Sequence, residues 1–552
     1  MDSEAMISIV ERPSQLLRRR VDGGVIVVEG SNVRERSTRE LALDVDNVVE
    51  YLIKGGLRAG DRVGIRGPNS YEWLVLDLAL VSLGCVSVCV PAEAAEFDSV
   101  PVGSLMESLH LTVMFQAPCG RNELLERGIV DLSRILEVTP PEIWIGDKDK
   151  RQTVSAASDV FTVAFSSGST GRLKRLPISW STNHRHMEAF GKAFGLSASD
   201  RILIVLPFSA FQQRHLVHCA IWHGCKVVLG RLENFLSALQ LGKPTIMLGP
   251  PSFFEIVEQR FNLLPAWRRY GILALSRIGG AVSDKLRQRM GAVLFGAFHQ
   301  LYGGEVRIML VGSAPVKPRT LELFRLGGFP LFQCYGMTEA GWIAWNTPGA
   351  NKIGTVGTAV FPGAVQIADD GEVLISHAWN QCTTYETFED EAVESGVFVA
   401  ENTVATGDVG AFDADGYLTL SGRKKNVIVT LGGLKVSPEE TEKQIAALPM
   451  VRHAIVFDHP SMPSLAAAIW TRDDSQQDRR TAVEGLRALN TTTLRRTPVL
   501  GIVFPKTSLS IESGLLTRNL KIDRTNVRLK FRDAVLSLSA AVDGPSNPAK
   551  VG

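Results

Sequence analysis

A chain of 552 residues is too long for one compact core, so two or more domains are expected. Its 45% hydrophobic and 21% charged content is ordinary for a globular protein, and a formal net charge of +1 gives no reason to expect nucleic acid or an acidic membrane surface as a partner. Seven cysteines at irregular spacing make no disulfide framework, so a reducing cytoplasm is the expected compartment.

The N-terminus opens with Asp2 and Glu4 and lacks the basic-then-apolar pattern of a signal peptide. Arg18-Arg19-Arg20 reads as a solvated helix face. Ser37-Thr38-Arg39-Glu40-Leu41 fits a capped helix start and predicts a helix over 41–57. Gly60-Asp61 turns into a strand over 62–65, followed by a helix over 70–83 and a strand over 86–90. The apolar stretch from Trp73 to Val90 contains Asp77 and Gly84. It reads as helix plus strand and not as a transmembrane segment, which wants about 20 uninterrupted apolar residues.

Strands alternating with helices argue for α/β layers on a parallel sheet. The alternation returns from Arg201 to about Met337, with apolar runs at 202–206, 226–229, 245–248 and 306–311. After Gly354 the grain changes, and 364–376 and 410–420 each read as two short strands about Asp/Gly turns. Beyond Gly422, a helix beginning Ser437-Pro438-Glu439-Glu440 and a strand at 454–457 open a further unit. The expected fold class is α/β: a large N-terminal domain over 1–422, of layered sheets plus a β subdomain, and a small α+β C-terminal domain over 423–552. Its Gly/Pro/Ser/Asn-rich tail from about 543 is expected to be disordered.

The chemistry sits in short blocks. Ser166-Ser167-Gly168-Ser169-Thr170-Gly171-Arg172-Leu173-Lys174 follows a β-branched apolar run at 160–165, which reads as a strand delivering a loop. Its glycines let backbone N–H groups turn toward an anion, its hydroxyls add donors, and Lys174 adds a mobile positive charge. That set suits a polyphosphate, although the spacing is not that of a P-loop. Downstream come Gly312-Ser313-Ala314-Pro315, Tyr335-Gly336-Met337-Thr338-Glu339, Thr406-Gly407-Asp408 and Gly422-Arg423-Lys424-Lys425-Asn426. Gly432-Gly433-Leu434-Lys435 and Gly514-Leu515-Leu516-Thr517 with Leu520-Lys521 complete the series. In this order the blocks resemble the adenylate-forming superfamily of acyl-CoA synthetases, peptide-synthetase adenylation domains and luciferases. The resemblance runs from about Arg36 to about Arg532 and is greatest to long-chain acyl-CoA synthetases.

What the resemblance implies is an acid–thiol ligase, an AMP-forming acyl-CoA synthetase. A hydrophobic or secondary-metabolite carboxylic acid attacks the α-phosphorus of ATP, pyrophosphate leaves, and the thiol of coenzyme A then displaces AMP. Two anions meet in the first step, so the site must supply positive charge and fixed donors. Ser166 to Gly171 with Lys174 would hold the β- and γ-phosphates. Tyr335 would stack on adenine, with Gly336 and Met337 beside it and Gly312, Ser313, Ala314 and Pro315 lining the base. Thr338 would bind the α-phosphate, and Glu339 would bind Mg²⁺. Asp408 would accept the ribose hydroxyls with Arg423 behind it. Lys521 would catalyse adenylation. Lys425 falls at the hinge of a mobile C-terminal domain, Gly432, Gly433 and Leu434 at the thiol tunnel, and Phe211 and Gln212 at the acyl pocket.

Three departures stand out. The phosphate loop ends Gly171-Arg172-Leu173-Lys174-Arg175 where the family has Gly-x-Pro-Lys-Gly, and Arg175 forgoes the easy positive φ of glycine. Ala210 and Gln212 stand where relatives carry a histidine and an aromatic gate. Asn426 replaces a frequent Asp. His215, His218, Cys219, His223 and Cys225 lack zinc-site spacing and read as core and pocket lining. Three other readings stay open: a ligase performing only the thioester-forming half-reaction on a preformed acyl-adenylate, an enzyme loading an acyl carrier protein, and a non-catalytic acyl or nucleotide binder.

Overall fold

The structure is a computed structural model that describes residues 12–92, 100–118, 128–136, 159–167, 173–282, 284–387, 396–429, 435–459, 464–510, 512–516 and 522–538. Gly168, Ser169, Thr170, Gly171, Gly432, Gly433, Leu434, Lys521 and the tail from 543 lie outside the described residues.

The capping signal at Ser37 is realised as read. Ser37 Oγ accepts from the Glu40 N–H, and the Glu40 carboxylate accepts from the Ser37 N–H at 2.8 Å, which starts the helix Thr38–Lys54. Ser70 caps the helix Tyr71–Leu83, and Gly84 ends it at φ +82° before the strand Val86–Val90. The same device closes the helix Phe211–His223, where Gly224 at φ +72° leads into the strand Lys226–Leu229. Both glycines adopt the left-handed conformation that side chains resist, so each helix turns directly into a parallel strand. That strand Val86–Val90 is buried at every position, as a parallel strand covered on both faces must be.

Among the described residues the largest sheet has nine strands. Their order is Thr358–Ala359, Gly341–Trp345, Leu331–Met337, Ile308–Val311, Ile246–Gly249, Arg201–Ile204, Lys226–Leu229, Gly24–Glu29 and Asn32–Ser37. From Leu331–Met337 to Gly24–Glu29 the neighbours run parallel. A second sheet orders Ile129–Asp131, Val113–Gln116, Arg62–Arg66, Val86–Val90, Val160–Ser167 and Leu173–Ser179, the last two forming an antiparallel hairpin. One hydrophobic core contains residues of both sheets, among them Val63, Ile65, Ile202 and Ile204.

Inside that core lies a charged knot. Arg214 bonds Asp77 through Nε at 3.1 Å and through a second nitrogen, donates to Thr162 Oγ1 at 2.6 Å, and donates to Ser87 Oγ at 2.9 Å. It ties the helix Phe211–His223 to the second sheet. Because every partner of the pair is itself hydrogen-bonded, two charges survive a burial that is otherwise costly.

Among the described residues the β subdomain is a five-stranded antiparallel sheet of Val365–Ile367, Glu372–Ser376, Phe398–Ala400, Thr403–Phe412 and Leu418–Arg423. The C-terminal unit builds a sheet from Val451–Asp458, Leu465–Thr471, Val499–Val503 and Leu536–Ser537, with its own cores. It meets the large unit where Arg319 donates to the carbonyls of Pro449 and Val451 at 2.8 and 3.0 Å. Beside this contact, Lys317 pairs with Glu255 at 3.0 Å and His453 stands 3.9 Å from the same carboxylate. No helix among the described residues is long and apolar enough to cross a membrane.

Candidate active site

Ser166 lies opposite Lys174, and Ser167 opposite Leu173, in the hairpin of the second sheet. Lys174 reaches over the Tyr385 ring, with its Nζ 4.7 Å from the centroid and 3.5 Å from the phenol oxygen. The Tyr385 hydroxyl in turn donates to Glu339 Oε1 at 3.0 Å. A lysine, a phenol and a carboxylate thus join the hairpin to the Tyr335–Glu339 block. Arg175 sits in the strand opposite Phe165, without positive φ. The easy positive φ of glycine is not called on there. Its guanidinium faces Glu386 at 3.9 Å, and Arg62 forks onto the same carboxylate at 2.7 and 3.0 Å. Glu386, one residue after Tyr385, therefore anchors the segment that carries the phenol.

Tyr335, Gly336 and Met337 are inside the strand Leu331–Met337, which turns back as the antiparallel strand Gly341–Trp345. The Tyr335 hydroxyl donates to Asp408 Oδ2 at 2.6 Å, and Arg423 Nε holds Asp408 Oδ1 at 2.9 Å. Asp408 and Arg423 are direct partners across adjacent strands, which is why residues 15 apart in sequence meet. Burial, reinforced by Asp408, pushes the Tyr335 phenol well above its ordinary pKa, so it remains a donor to the carboxylate. Just past Arg423, Lys424 bonds Glu372 Oε2 at 2.7 Å and pairs with Asp370 at 2.6 Å, while Asn426 donates to Glu439 Oε1 at 2.6 Å. Exposed Lys425 lies between these two tethers, one to the β subdomain and one to the helix Pro438–Ala446.

A cavity of ≈ 720 Å³, open to solvent, brings the remaining candidates together. Gly312, Ser313, Gly336, Met337 and Thr338 line one part, and Phe211, Gln212 and Ala210 another. Ser313 takes φ +68° two residues past the end of the strand Ile308–Val311. Gly336 is required by close approach, since a Cβ there would stand 2.5 Å from the Gly341 carbonyl oxygen. Two lining residues, Gln213 and Gln381, are each only 2% exposed, and their amide oxygens have no hydrogen-bond partner.

The cavity wall at Trp342 and His215 is the end of a buried relay. Trp342 Nε1 donates to His215 Nε2 at 2.9 Å. Because indole can only donate, His215 carries its proton on Nδ1, which faces Asn183 Oδ1 at 2.8 Å. The Asn183 amide nitrogen then faces His218 Nδ1 at 3.3 Å, leaving Nε2–H of His218 toward Asp77, 3.4 Å away. Burial, with His186 and His218 nearby, holds His215 well below its ordinary pKa, and burial takes His186 down to about 4. Burial alone would raise Asp77, but Arg214 and His218 outweigh it and hold the carboxyl down at about 2.

The structure thus gathers Ser166, Lys174 and Glu339 in one cluster, Tyr335, Asp408 and Arg423 in a second, and the Gly312–Ser313, Gly336–Thr338 and Phe211–Gln212 segments around one cavity. Tyr385, Gln213, Gln381 and Trp342 were not singled out from sequence. Tyr385 sits in a stretch without motif or periodicity, and its role depends on two segments far away in the chain.

Comparison with known proteins identifies the family and the fold. The family model described as AMP-binding enzyme matches residues 18–378. A long-chain-fatty-acid–CoA ligase, FadD15, of Mycobacterium bovis is 30% identical, covering 87% of this chain and 83% of its own. A 2-succinylbenzoate–CoA ligase of Oceanobacillus iheyensis is 25% identical over 77% of this chain and 82% of its own. In fold, the crystal structure of ATP-bound MatB from Rhodopseudomonas palustris superposes with a TM-score of 0.71 at 20% identity, covering 95% of this chain and 99% of that one. The chain belongs to the family of AMP-binding enzymes.

Proposed function

We propose that this protein is an AMP-forming acyl-CoA synthetase acting on a hydrophobic or secondary-metabolite carboxylic acid. The observation that carries the reading is the Tyr335–Asp408–Arg423 set, its phenol and carboxylate buried, with Tyr335 on the strand that leads Gly336–Thr338 to the cavity. A buried carboxylate already held by a phenol and a guanidinium keeps further lone pairs suited to accept from ribose hydroxyls. The relatives named as CoA ligases support the same reaction class.

In this reading Lys174 and the hydroxyls of its hairpin hold the outer phosphates, and Thr338 holds the α-phosphate. The acid enters between Phe211, Gln212 and Trp342, with its carboxylate toward Thr338. Its oxygen forms a bond to the α-phosphorus as the bond to pyrophosphate breaks. The thiol of coenzyme A then forms the thioester, and AMP leaves. Glu339, fixed through Tyr385, is the carboxylate that fits Mg²⁺, which when bound supplies positive charge to phosphate oxygens. Lys521 contributes a cation at the forming junction, and the domain boundary falls at residues 422–423, with Lys425 as the hinge between half-reactions. A cytoplasmic setting fits the six described cysteines, all buried and free.

ATP–pyrophosphate exchange without CoA, across a panel of carboxylic acids, tests the reading. Acid-dependent exchange is expected, and Lys521→Ala should lower it by about 1,000-fold while sparing thioester formation from supplied acyl-adenylate. Equal loss of both activities would contradict the two-state rotation. Thioester formation from acyl-adenylate with no exchange in the parent chain would leave only the second half-reaction.

A further inference from the structure

We propose that the outer face of the helices Ala266–Val282 and Asp284–Leu294 docks on an anionic membrane surface. In the first helix, Trp267, Tyr270, Ala274 and Ile278 stand at i, i+3, i+7 and i+11, which places them on one side. That side is in solvent: Trp267 is 73%, Tyr270 72% and Ile278 61% exposed. The other side, through Ile272 and Leu273, packs against the core of the large sheet. A helix apolar on both faces is expected to be covered on both. Leu263 before it, 84% exposed, and Val293 in the second helix, 81% exposed, extend the bare surface.

Among the described residues, seven of the 22 exposed large apolar side chains fall between residues 263 and 293, so this is a patch and not the usual scatter. Its charge is equally concentrated. Residues 260–295 contain seven arginines and lysines against a single acidic residue, Asp284, in a chain whose whole net charge is +1. Arg260, Arg268, Arg277 and Arg289 are exposed, and Arg268 lies 5.5 Å above the Trp267 ring. The near-neutral total, which gave no reason to expect an acidic membrane surface, conceals this segregation.

The charge also selects the occupant. A second copy meeting this face through a two-fold axis would set the same excess of positive charge against itself. An anionic lipid surface answers both features at once, taking the aromatic and aliphatic side chains into its interfacial layer and the guanidiniums onto its phosphates. The inference does not depend on the reaction assigned to the cavity.

The test is co-sedimentation of the full chain with vesicles of phosphatidylcholine alone and with vesicles in which about one-third of the lipid is phosphatidylglycerol. At least about tenfold stronger partitioning to the anionic vesicles is expected, with loss of the difference near 0.5 M salt, roughly. Trp267→Ala with Tyr270→Ala, and separately Arg268→Glu with Arg277→Glu, should each remove about tenfold or more of the binding while leaving the melting temperature within a few degrees. Equal binding by parent and folded variants would overturn the proposal. So would absence of vesicle binding, whether the chain sediments as a monomer or as a dimer that the aromatic variant dissociates.

Discussion

Asp408 and Gln381 are both buried, at 8% and 2% exposure, yet their surroundings follow different rules. Around Asp408 the chain answers its own polar groups: Tyr335 and Arg423 take one carboxylate oxygen each, and Lys174, Tyr385 and Glu339 form a similar set nearby. Around Gln381 and Gln213 the amide oxygens are removed from solvent without protein partners. Leaving such a group unsatisfied costs about 1–3 kcal/mol. On the proposed function, the Asp408 side, assigned to the nucleotide, is organised before anything binds, whereas the Gln213 and Gln381 side keeps two amide oxygens unanswered by the protein.

The first way to break this comparison is to remove the support common to both ends. Arg214→Met leaves Asp77 buried without its counter-charge and should cost about 3–5 kcal/mol of stability, read by chemical denaturation. Acid attacks the same region. His186, whose pKa burial takes from 6.5 to about 4, stays neutral when folded and takes up a proton near pH 6.5 when unfolded. Stability is therefore fully present above about pH 6.5 and is lost progressively as pH falls toward 4, by roughly 3 kcal/mol for this residue alone. His215 and His218 are lowered chiefly by burial and act in the same direction, as does His453 between the two units. Melting temperature against pH should fall below 6.5, and a flat profile from 7 to 5 would show these rings to be hydrated.

Within the nucleotide end, Asp408→Asn removes the charge that Tyr335 and Arg423 share and should lower exchange by about 10–100-fold for every acid alike. An effect confined to some acids would mean that Asp408 belongs to the acyl side. The smallest effect sharpens the contrast most. Gln213→Leu and Gln381→Leu should raise stability by up to about 1 kcal/mol, because a buried unpaired amide is replaced by an apolar group. They should also shift acid preference several-fold away from acids bearing hydroxyl, amino or keto groups. Lowered stability with unchanged preference would show the amides to be structural.

Much of this molecule is legible because local signals and tertiary structure agree. Ser37 with Glu40, Ser70, Gly84 and the four-residue run Lys226–Leu229 fix helix starts and strand limits with chemistry confined to a few neighbours. The blocks at 312–315, 335–339, 408 and 423 are equally local, and the strands converge them. The illegible part is relational. Asp77 and Arg214 are 137 residues apart, Lys174 and Tyr385 are 211 apart, and Arg62 and Glu386 are 324 apart. Nothing in the immediate surroundings of any of these residues marks its partner. Arg175 teaches the same point in reverse: from sequence it stands out as the loss of a glycine, but the strand pairing and the Glu386 carboxylate make it an ordinary strand residue.

The Trp342 indole has a hydrogen to give and no lone pair to offer, and that one-sidedness limits how the family line leading to this chain can vary. A phenylalanine at 342 would free His215 to exchange its tautomer, turn Asn183 over and leave His218 with the wrong atom toward Asp77. On the proposed function, change in acid preference therefore has an easy route through Ala210 and Gln212, whose side chains have no part in the relay, and a hard one through Trp342. Directed evolution of this pocket should accumulate its early mutations at those two wall positions and reach Trp342 only together with compensating changes at His215 or Asn183.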